Sequence, residues 1–198
     1  IKFRKEIKQL NVESEGWFFD VWQPEHIDQA ECWPLKSDNA WHGFKNIDDE
    51  HMYLDPIKVT LLTPGMSKEG EMQEFGIPAS LVAKYLDEHG IIVEKTGPYN
   101  LLFLFSIGID KTKALSLLRG LIDFKRSFDL NLRVKNMLPS LYKEAPEFYE
   151  NMRIQDLAQN IHNLVVEHNL PDLMYRAFEV LPTLVMNPFN ACLLYTSD

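Results

Sequence analysis

The first half of the chain alternates between helix-like and strand-like spacing of its hydrophobic residues. Phe3, Ile7 and Leu10 recur at helical spacing between charged residues, which predicts an amphipathic helix that ends near Gly16. Runs of aromatic and β-branched residues predict four strands, over residues 17–22, 57–63, 91–95 and 101–107. The fourth run is apolar enough to be covered on both faces of a sheet.

Two more helices are predicted in the same part of the chain. Pro78 and Gly90 bracket the first of them, and Asp110 is a favourable N-cap for the second. Helical spacing assigns their buried faces to Leu81, Val82, Tyr85, Leu86, Ala114, Leu117, Leu118, Leu121 and Ile122. Residues 25–49 lack such a pattern, and their tryptophans among turn-forming residues predict a long ordered loop.

The pattern becomes helical after Asp129. One apolar stripe is formed by Ile154, Leu157, Ala158, Ile161, Leu164 and Val165. We therefore predict an α/β (α+β) fold with a domain boundary near residue 130 and a mostly helical second unit over residues 131–191. Residues 192–198 follow no earlier periodicity and are predicted to be a non-native tail.

Charge and composition exclude several classes of function. The 29 acidic residues outnumber the 20 basic ones, and the resulting net charge of -9 disfavours nucleic-acid binding. Cys32 and Cys192 are far apart and form no disulfide framework or zinc motif, so a reducing cytoplasm is predicted. No apolar run approaches the roughly 20 residues that span a membrane. His162 and His168 do not share a helical face, so no metal site is expected, and each histidine should be exposed or hydrogen-bonded.

One carboxylate stands out, although no stand-alone catalytic motif is present. The chain lacks a glycine-rich nucleotide motif, a phosphate loop, a zinc-protease motif and a nucleophile elbow. Glu94 lies at the end of the predicted strand 91–95, directly before a turn, where side chains often point into clefts. The alternative is a solvated glutamate that pairs with Lys95 or another nearby base.

A local basic group is the second candidate in this acidic chain. It consists of Arg133, Lys135 and Arg153, with Asn131 and Asn136 beside them. Guanidinium groups match the geometry of phosphate oxygens, which favours an anion site. Alternatively, the basic side chains form ion pairs with Glu144, Glu147 and Asp156.

Four segments carry a resemblance to a known family. They read DPIKVTLLTPGM at 55–66, EKTGPYNLLFLFSIGIDKTKALSLLRG at 94–120, NLRVKNMLPSLY at 131–142 and NMRIQDLAQNIH at 151–162. Together these segments resemble the bacterial acid-inducible lysine decarboxylases, within the family of Orn/Lys/Arg decarboxylases. Related arginine decarboxylases share the region from Glu94 to Gly108.

The resemblance implies a fold type I enzyme that depends on pyridoxal 5'-phosphate. Residues 1–130 would be its small subdomain, a mixed or antiparallel sheet covered by helices, and residues 131–191 would begin its C-terminal domain. The family attaches its cofactor to the lysine of a Ser-x-His-Lys segment. Because this sequence contains no His-Lys dipeptide, no catalytic or cofactor-binding residue is expected within it, and the fragment alone should be inactive.

Partners and residue roles are also implied by the resemblance. Glu94 would face the distal ammonium group of the substrate, and Arg133, Asn136 and Arg153 would contact the inhibitor guanosine tetraphosphate. The parent would assemble from dimers into a decamer and convert L-lysine to cadaverine and carbon dioxide under acid stress. Arginine and ornithine are the alternative substrates. An interpretation from another class is a non-catalytic α/β binding or regulatory module.

Overall fold

The computed structural model describes residues 1–29, 31, 33–48, 51–181 and 183–194. Its first helix, α1 (Lys2–Glu13), buries Phe3, Arg4 and Ile7 in the core. The predicted amphipathic helix is therefore confirmed, and the backbone turns after it at Gly16, which has a φ of 70°.

Four strands form one antiparallel sheet. They are β1 (Asp20–Val21), β2 (Lys58–Leu62), β3 (Lys95–Thr96) and β4 (Asn100–Leu104), in the spatial order β1-β2-β4-β3. Strands β2 and β4 pair along their whole length at the centre, whereas β1 and β3 are two-residue edge strands. The sheet and the helices that accompany it confirm the predicted fold class.

Helices α2 (Ala79–Glu88) and α3 (Lys111–Asp129) agree closely with the sequence pattern. The four residues predicted on the buried face of α2 are buried, and Asp110 caps α3 by accepting a hydrogen bond from the Lys113 N–H at 2.8 Å. Ile122 was predicted to be buried but is 39% exposed. The buried stripe of α3 instead consists of Leu117, Gly120, Leu121, Phe124 and Phe128.

The strand predicted over residues 91–95 is wrong for its first four residues, since β3 begins only at Lys95. Gly90 has a φ of 73°, and the N–H of Ile91 donates to the carbonyl of Leu86 at 2.9 Å, which completes the C-terminal cap of α2. The N–H of Ile91 is therefore used by the helix cap and is not available for pairing with a strand. Consequently, Glu94 lies just before a strand and not at the end of one.

Two other strand predictions need correction. The strand expected over residues 17–22 narrows to β1, because the aromatic residues before it pack against one another and against α3. The fourth strand was expected to be covered on both faces. In the structure Leu101 and Phe103 of β4 are buried but Leu104 is 39% exposed, as in an antiparallel sheet that buries one face.

Every described element after α3 is a helix. They are α4 (Val134–Met137), α5 (Pro139–Glu144), α6 (Pro146–Tyr149), α7 (Ile154–Glu167), α8 (Leu170–Glu179) and α9 (Pro188–Leu194). Leu164 of α7 was predicted to be buried but is 52% exposed. The buried stripe runs instead from Ile154 through Ala158 to His162, at successive i, i+4 positions.

One hydrophobic cluster includes residues from both sides of position 130. Phe3, Leu61 and Phe124 contribute from the first part of the chain, and Leu138 and Ile154 contribute from the second. The two parts therefore share buried apolar surface. A domain boundary near residue 130 stays a prediction.

The described part of the long loop is held by specific contacts, as predicted. Trp22 and Trp41 pack with ring centroids 4.9 Å apart, and the His42 ring lies 2.9 Å from the carbonyl of Lys36 through its Nε2. Cys32, within this loop, lies outside the described residues. None of the helices in the described ranges is long and apolar enough to cross a membrane.

The predicted tail over residues 192–198 is described only in part. Cys192 is exposed, carries a free thiol and belongs to α9, which ends at Leu194. Residues 195–198 lie outside the described residues, so the prediction for them stays open.

Candidate substrate-binding and regulatory sites

Glu94 lies at the open end of a tight hairpin formed by β3 and β4. Its N–H donates to the carbonyl of Leu102 at 2.9 Å, and the N–H of Gly97 donates to the carbonyl of Asn100 at 2.9 Å. A Cβ on Gly97 would lie 2.8 Å from the end of the Asn100 side chain, so the turn is tightly packed at this position. The backbone of Glu94 is therefore bonded into the hairpin of β3 and β4.

The Glu94 carboxylate is exposed at the edge of the sheet. Among the ion pairs of the described residues, none involves Glu94 or Lys95. Glu94 is thus solvated, as the alternative expected, but the expected pairing with Lys95 or another base is not found in the described part of the chain. A carboxylate without an internal partner can accept an external cation.

The tip of the same hairpin is anchored by a buried pair of polar side chains. The hydroxyl of Tyr99 lies 2.6 Å from Nδ1 of His162, and Nε2 of His162 lies 2.9 Å from the carbonyl oxygen of Gln73. Tyr99 is 2% exposed and His162 is 1% exposed. His162 was predicted to be either exposed or hydrogen-bonded, and it is buried and hydrogen-bonded.

The proton positions of this pair follow from its partners. A carbonyl oxygen only accepts, so Nε2 of His162 carries the hydrogen and Nδ1 accepts from the Tyr99 hydroxyl. Burial raises the pKa of Tyr99 to about 12, which keeps its hydroxyl protonated. The Tyr99 hydroxyl therefore keeps the proton that this hydrogen bond uses.

Two glycines allow the backbone to approach these rings. A Cβ on Gly65 would lie 2.1 Å from Cε1 of Tyr99, and a Cβ on Gly76 would lie 2.2 Å from Nδ1 of His162. The loop between β2 and α2 thus packs directly on both rings. In the same loop Gly65 and Gln73 exchange hydrogen bonds, from the Gly65 N–H to Oε1 at 2.9 Å and from the Gln73 N–H to the Gly65 carbonyl at 3.0 Å.

Arg133 and Arg153 face each other in an isolated antiparallel bridge. The N–H of Val134 donates to the carbonyl of Met152 at 3.0 Å, and the N–H of Ile154 donates to the carbonyl of Leu132 at 2.9 Å. The fold therefore places the backbones of two arginines opposite each other at this point of the surface. Like charges directly opposite each other in such a pair are destabilising.

The third residue of the predicted anion site lies beside this bridge. Asn136 is exposed, like Arg133 and Arg153, and its N–H donates to the carbonyl of Arg133 at 3.0 Å. Arg153 also donates from its guanidinium to the carbonyl of Asn131 at 2.8 Å. The structure thus brings together the three residues of the predicted anion site, whereas no described contact joins them to Glu94.

The predicted ion pairs with Glu144, Glu147 and Asp156 are not found among the described residues. Instead Lys135 pairs with Glu150 at 2.6 Å, and the Tyr142 hydroxyl donates to the same carboxylate at 2.6 Å. The bonds from Lys135 and Tyr142 lower the pKa of Glu150, and the bond to Glu150 raises the pKa of Tyr142. Glu150 therefore neutralises Lys135, while no described carboxylate pairs directly with the two arginines.

One cavity of the described residues does not fit pyridoxal phosphate. A cavity of about 450 Å³ lies between α2, β4 and α3, but its walls are mainly apolar, with Ile91, Leu104 and Ile109 among them. The one lysine among its lining residues, Lys113, donates its ammonium to the carbonyl of Gly108 at 2.9 Å. A phosphate needs several fixed N–H donors and cations, and this cavity does not offer them.

Comparison with known proteins gives the class of protein to which the chain belongs. The sequence model of the Orn/Lys/Arg decarboxylase major domain matches residues 1–113, and the chain belongs to the Orn/Lys/Arg decarboxylase family. That description names a major domain, whereas assignment of residues 1–130 to a small subdomain stays a prediction.

Three proteins illustrate the similarity. The inducible lysine decarboxylase of Escherichia coli (strain K12) is 84% identical over 191 residues, covering 96% of this chain and 27% of that protein. The structure of the constitutive lysine decarboxylase of E. coli matches with a TM-score of 0.87 and 67% identity, over 96% of this chain and 27% of that one. The biodegradative arginine decarboxylase of E. coli (strain K12) is more distant, at 33% identity over 96% of this chain and 28% of that protein. The chain thus spans about a quarter of the length of these relatives.

The contact between Tyr99 and His162 is not predicted from the sequence pattern. Helical spacing could have placed His162 on the buried stripe, because it follows Ile154 and Ala158 at i+4 steps. Its partner could not be found in this way, since the two residues are 63 positions apart in the chain.

Proposed function

We propose that this chain is part of a pyridoxal-phosphate-dependent decarboxylase that converts L-lysine to cadaverine and carbon dioxide. The observation that carries the proposal is the exposed Glu94 carboxylate, which has no ion-pair partner among the described residues and begins a fixed hairpin. Family membership and the high identity to an inducible lysine decarboxylase support lysine as the substrate.

Glu94 would recognise the distal ammonium group of lysine. A buried ammonium without a partner is costly, so a carboxylate opposite it stabilises the bound substrate and rejects apolar analogues of similar length. Arginine and ornithine, which also carry a distal cation, remain the alternative substrates. The greater distance of the arginine decarboxylase in sequence favours lysine.

The cofactor would be held by other parts of the parent polypeptide. When it is bound, pyridoxal phosphate supplies the electron sink for the decarboxylation. The described residues contribute substrate recognition and not the attachment of the cofactor. The parent would be a cytoplasmic enzyme of acid-stress response, assembled from dimers into a decamer.

A chimera tests the role of Glu94. The 191 matched residues of this chain would replace the corresponding segment of the E. coli inducible lysine decarboxylase, and lysine decarboxylation would be measured. We expect the chimera to be active and Glu94→Gln to lower kcat/KM for lysine by about 10- to 100-fold, because a charged hydrogen bond is lost.

The matched control is Glu71→Gln, which changes another exposed glutamate. It should leave kcat/KM within about twofold. An unchanged kcat/KM in Glu94→Gln would remove the role assigned to Glu94. A folded, assembled chimera without any decarboxylase activity would favour the alternative of a non-catalytic binding or regulatory module.

The paired arginines support a second function, regulation by an anionic nucleotide. Arg133, Asn136 and Arg153 would contact guanosine tetraphosphate, whose two pyrophosphates need several fixed cations. The observation that favours this role is the exposed Arg133–Arg153 bridge, for which no pairing carboxylate is described. A bound polyphosphate would offset the repulsion between the two guanidinium groups.

Arg153→Ala tests the regulatory role in the same chimera. We expect weaker inhibition by guanosine tetraphosphate, with basal lysine turnover intact, because Arg153 lies away from the Glu94 hairpin in the hydrogen-bond network. Arg119→Ala, at an exposed position of α3, is the control and should not change inhibition. Identical inhibition curves for Arg153→Ala and the parent chimera would exclude the proposed anion site.

A further inference from the structure

We infer that Tyr99 and His162 are positioning residues that hold the Glu94 hairpin in the orientation needed for substrate binding. The inference rests on the proposed role of Glu94 and extends it to a buried contact with no direct access to substrate. Its basis is the way in which the hairpin is attached to the rest of the molecule.

The strand that follows Glu94 is weakly held by itself. Strand β3 contains only Lys95 and Thr96, both exposed, and it lies at the edge of the sheet. It pairs on one side only, with Leu101 and Leu102 of β4. A two-residue edge strand has few hydrogen bonds to resist displacement, so its position depends on what anchors its ends.

The tip of the hairpin supplies a strong anchor. The carbonyl of Pro98 accepts from the N–H of Ala79 at 2.9 Å, at the start of α2. The carbonyl of Tyr99 accepts from the N–H of Thr63 at 2.9 Å, directly after β2. These two bonds fix the backbone of the turn, and the Tyr99 side chain adds a third attachment, to α7, through its hydroxyl bond with His162.

The attachment of Tyr99 to α7 is rigid, because both side chains are buried and both ring nitrogens of His162 have a partner. His162 is bonded on both ring nitrogens, to Tyr99 and to Gln73, and Gly76 packs against its ring. A fully satisfied buried polar network favours a single arrangement of its members. Loss of the Tyr99 hydroxyl would leave Nδ1 of His162 without its donor and would loosen the hairpin tip.

Such loosening should affect substrate binding more than the chemical step. Glu94 would meet the far end of the substrate, and misplacement of a distant binding group weakens binding of the ground state and the transition state alike. In the chimera with the E. coli enzyme, Tyr99→Phe should therefore raise KM for lysine by about fivefold and change kcat by less than twofold.

Tyr142→Phe is the matched control. Its hydroxyl makes a hydrogen bond of the same 2.6 Å length, but to Glu150. We expect an unchanged KM for lysine, even where thermal stability falls as much as in Tyr99→Phe. A rise of KM in both variants to the same extent would indicate a general effect of lost stability and would overturn the inference.

A double-mutant cycle shows whether Tyr99 affects KM by positioning Glu94 or independently of Glu94. If Tyr99 acts through Glu94, Tyr99→Phe should raise KM in the parent chimera but cause no further rise when Glu94→Gln is already present. His162→Gln should raise KM similarly and add little to Tyr99→Phe, because both changes break the same bond between Tyr99 and His162.

The outcomes distinguish this inference from the proposed function. If Glu94→Gln raises KM but Tyr99→Phe does not, the positioning role is refuted and the role of Glu94 stands. An equal rise of KM by Tyr99→Phe in the presence of Glu94→Gln also refutes positioning through Glu94. If Glu94→Gln leaves KM and kcat unchanged, both ideas are refuted together.

Discussion

At the scale of single residues, Arg4 shows what an amphipathic pattern leaves undetermined. It is 1% exposed, and its guanidinium donates to the carbonyls of Trp22 and Lys58 and to the Gln23 side chain. Burial lowers the pKa of Arg4 to about 10. The sequence placed α1 correctly, but a charged residue beside Phe3 gave no sign that it would be buried, because its acceptors come from distant segments.

The multiple acceptors of Arg4 lead to a stability prediction. Arg4→Lys should lower the free energy of unfolding by about 2 kcal/mol, because one ammonium cannot reach all the acceptors that the guanidinium contacts. Urea-induced unfolding followed by tryptophan fluorescence would measure the change. Lys5→Arg, in the exposed pair with Asp28, is the control and should stay within about 0.5 kcal/mol. An equal loss of unfolding free energy in both variants would argue against this role of the buried Arg4 guanidinium.

The hydrogen bonds to the Glu150 carboxylate lead to a prediction of how the stability of the folded chain depends on pH. Its pKa in the folded chain lies below the ordinary value of 4.5, mainly because of the bond from Lys135 and then that from Tyr142. A carboxylate with a lowered pKa contributes stability above its unfolded pKa, and this contribution is lost as the pH falls. Thermal unfolding of the chain should therefore show a loss of stability as the pH falls below about 4.5.

Glu150→Gln should lose less stability over this pH range than the parent, since its side chain does not titrate. Glu147→Gln, on the neighbouring helix α6, serves as the control and should keep the pH profile of the parent. Identical profiles for Glu150→Gln and the parent would contradict the assignment.

At the scale of elements, helices were predicted well and strands less well. Asp110 and the residues around Gly90 are local signals, and they placed the start of α3 and the end of α2. The strand over residues 91–95 failed because the cap of α2 takes the N–H of Ile91, a competition between two elements that propensity does not represent. Glu94 was nevertheless singled out, although its place relative to the strand was wrong.

The close packing of Gly76 against the His162 ring leads to a stability prediction for the loop between β2 and α2. Gly76→Ala should destabilise the chain by about 1–3 kcal/mol, because the new Cβ would displace the His162 ring from its two hydrogen bonds. Gly108→Ala is the control, since the nearest atom to its Cβ would be 3.8 Å away. Thermal unfolding would compare them, and a Gly76→Ala variant as stable as Gly108→Ala would show that the ring moves without cost.

At the scale of the whole molecule, the order of the strands could not be read from the sequence. Strand β4 lies between β2 and β3, and the pairing of β2 with β4 joins residues about forty positions apart. Which strands pair depends on which of their faces are buried together, and the hydrophobic spacing within one strand does not reveal its partner. In the same way, the composition change near residue 130 predicted two units, whereas the buried cluster includes residues on both sides.

The shared cluster predicts a single unfolding unit. Amide exchange measured at increasing denaturant should give the same opening free energy for β4 and for α7, because Leu101 and Ile154 belong to one buried cluster. Amides of α9, whose residues are largely exposed, are the internal reference and should exchange at much lower free energy. Distinct opening free energies for β4 and α7 would support the predicted boundary near residue 130.

Helix α7 has one further consequence. Arg153 immediately precedes its first turn, and His162 lies nine residues further on, a separation of about 14 Å along the axis. Between these two residues, Leu157 and Ala158 pack α7 into the buried cluster. One packed helix therefore connects the proposed nucleotide site with the residue that is proposed to hold the Glu94 hairpin.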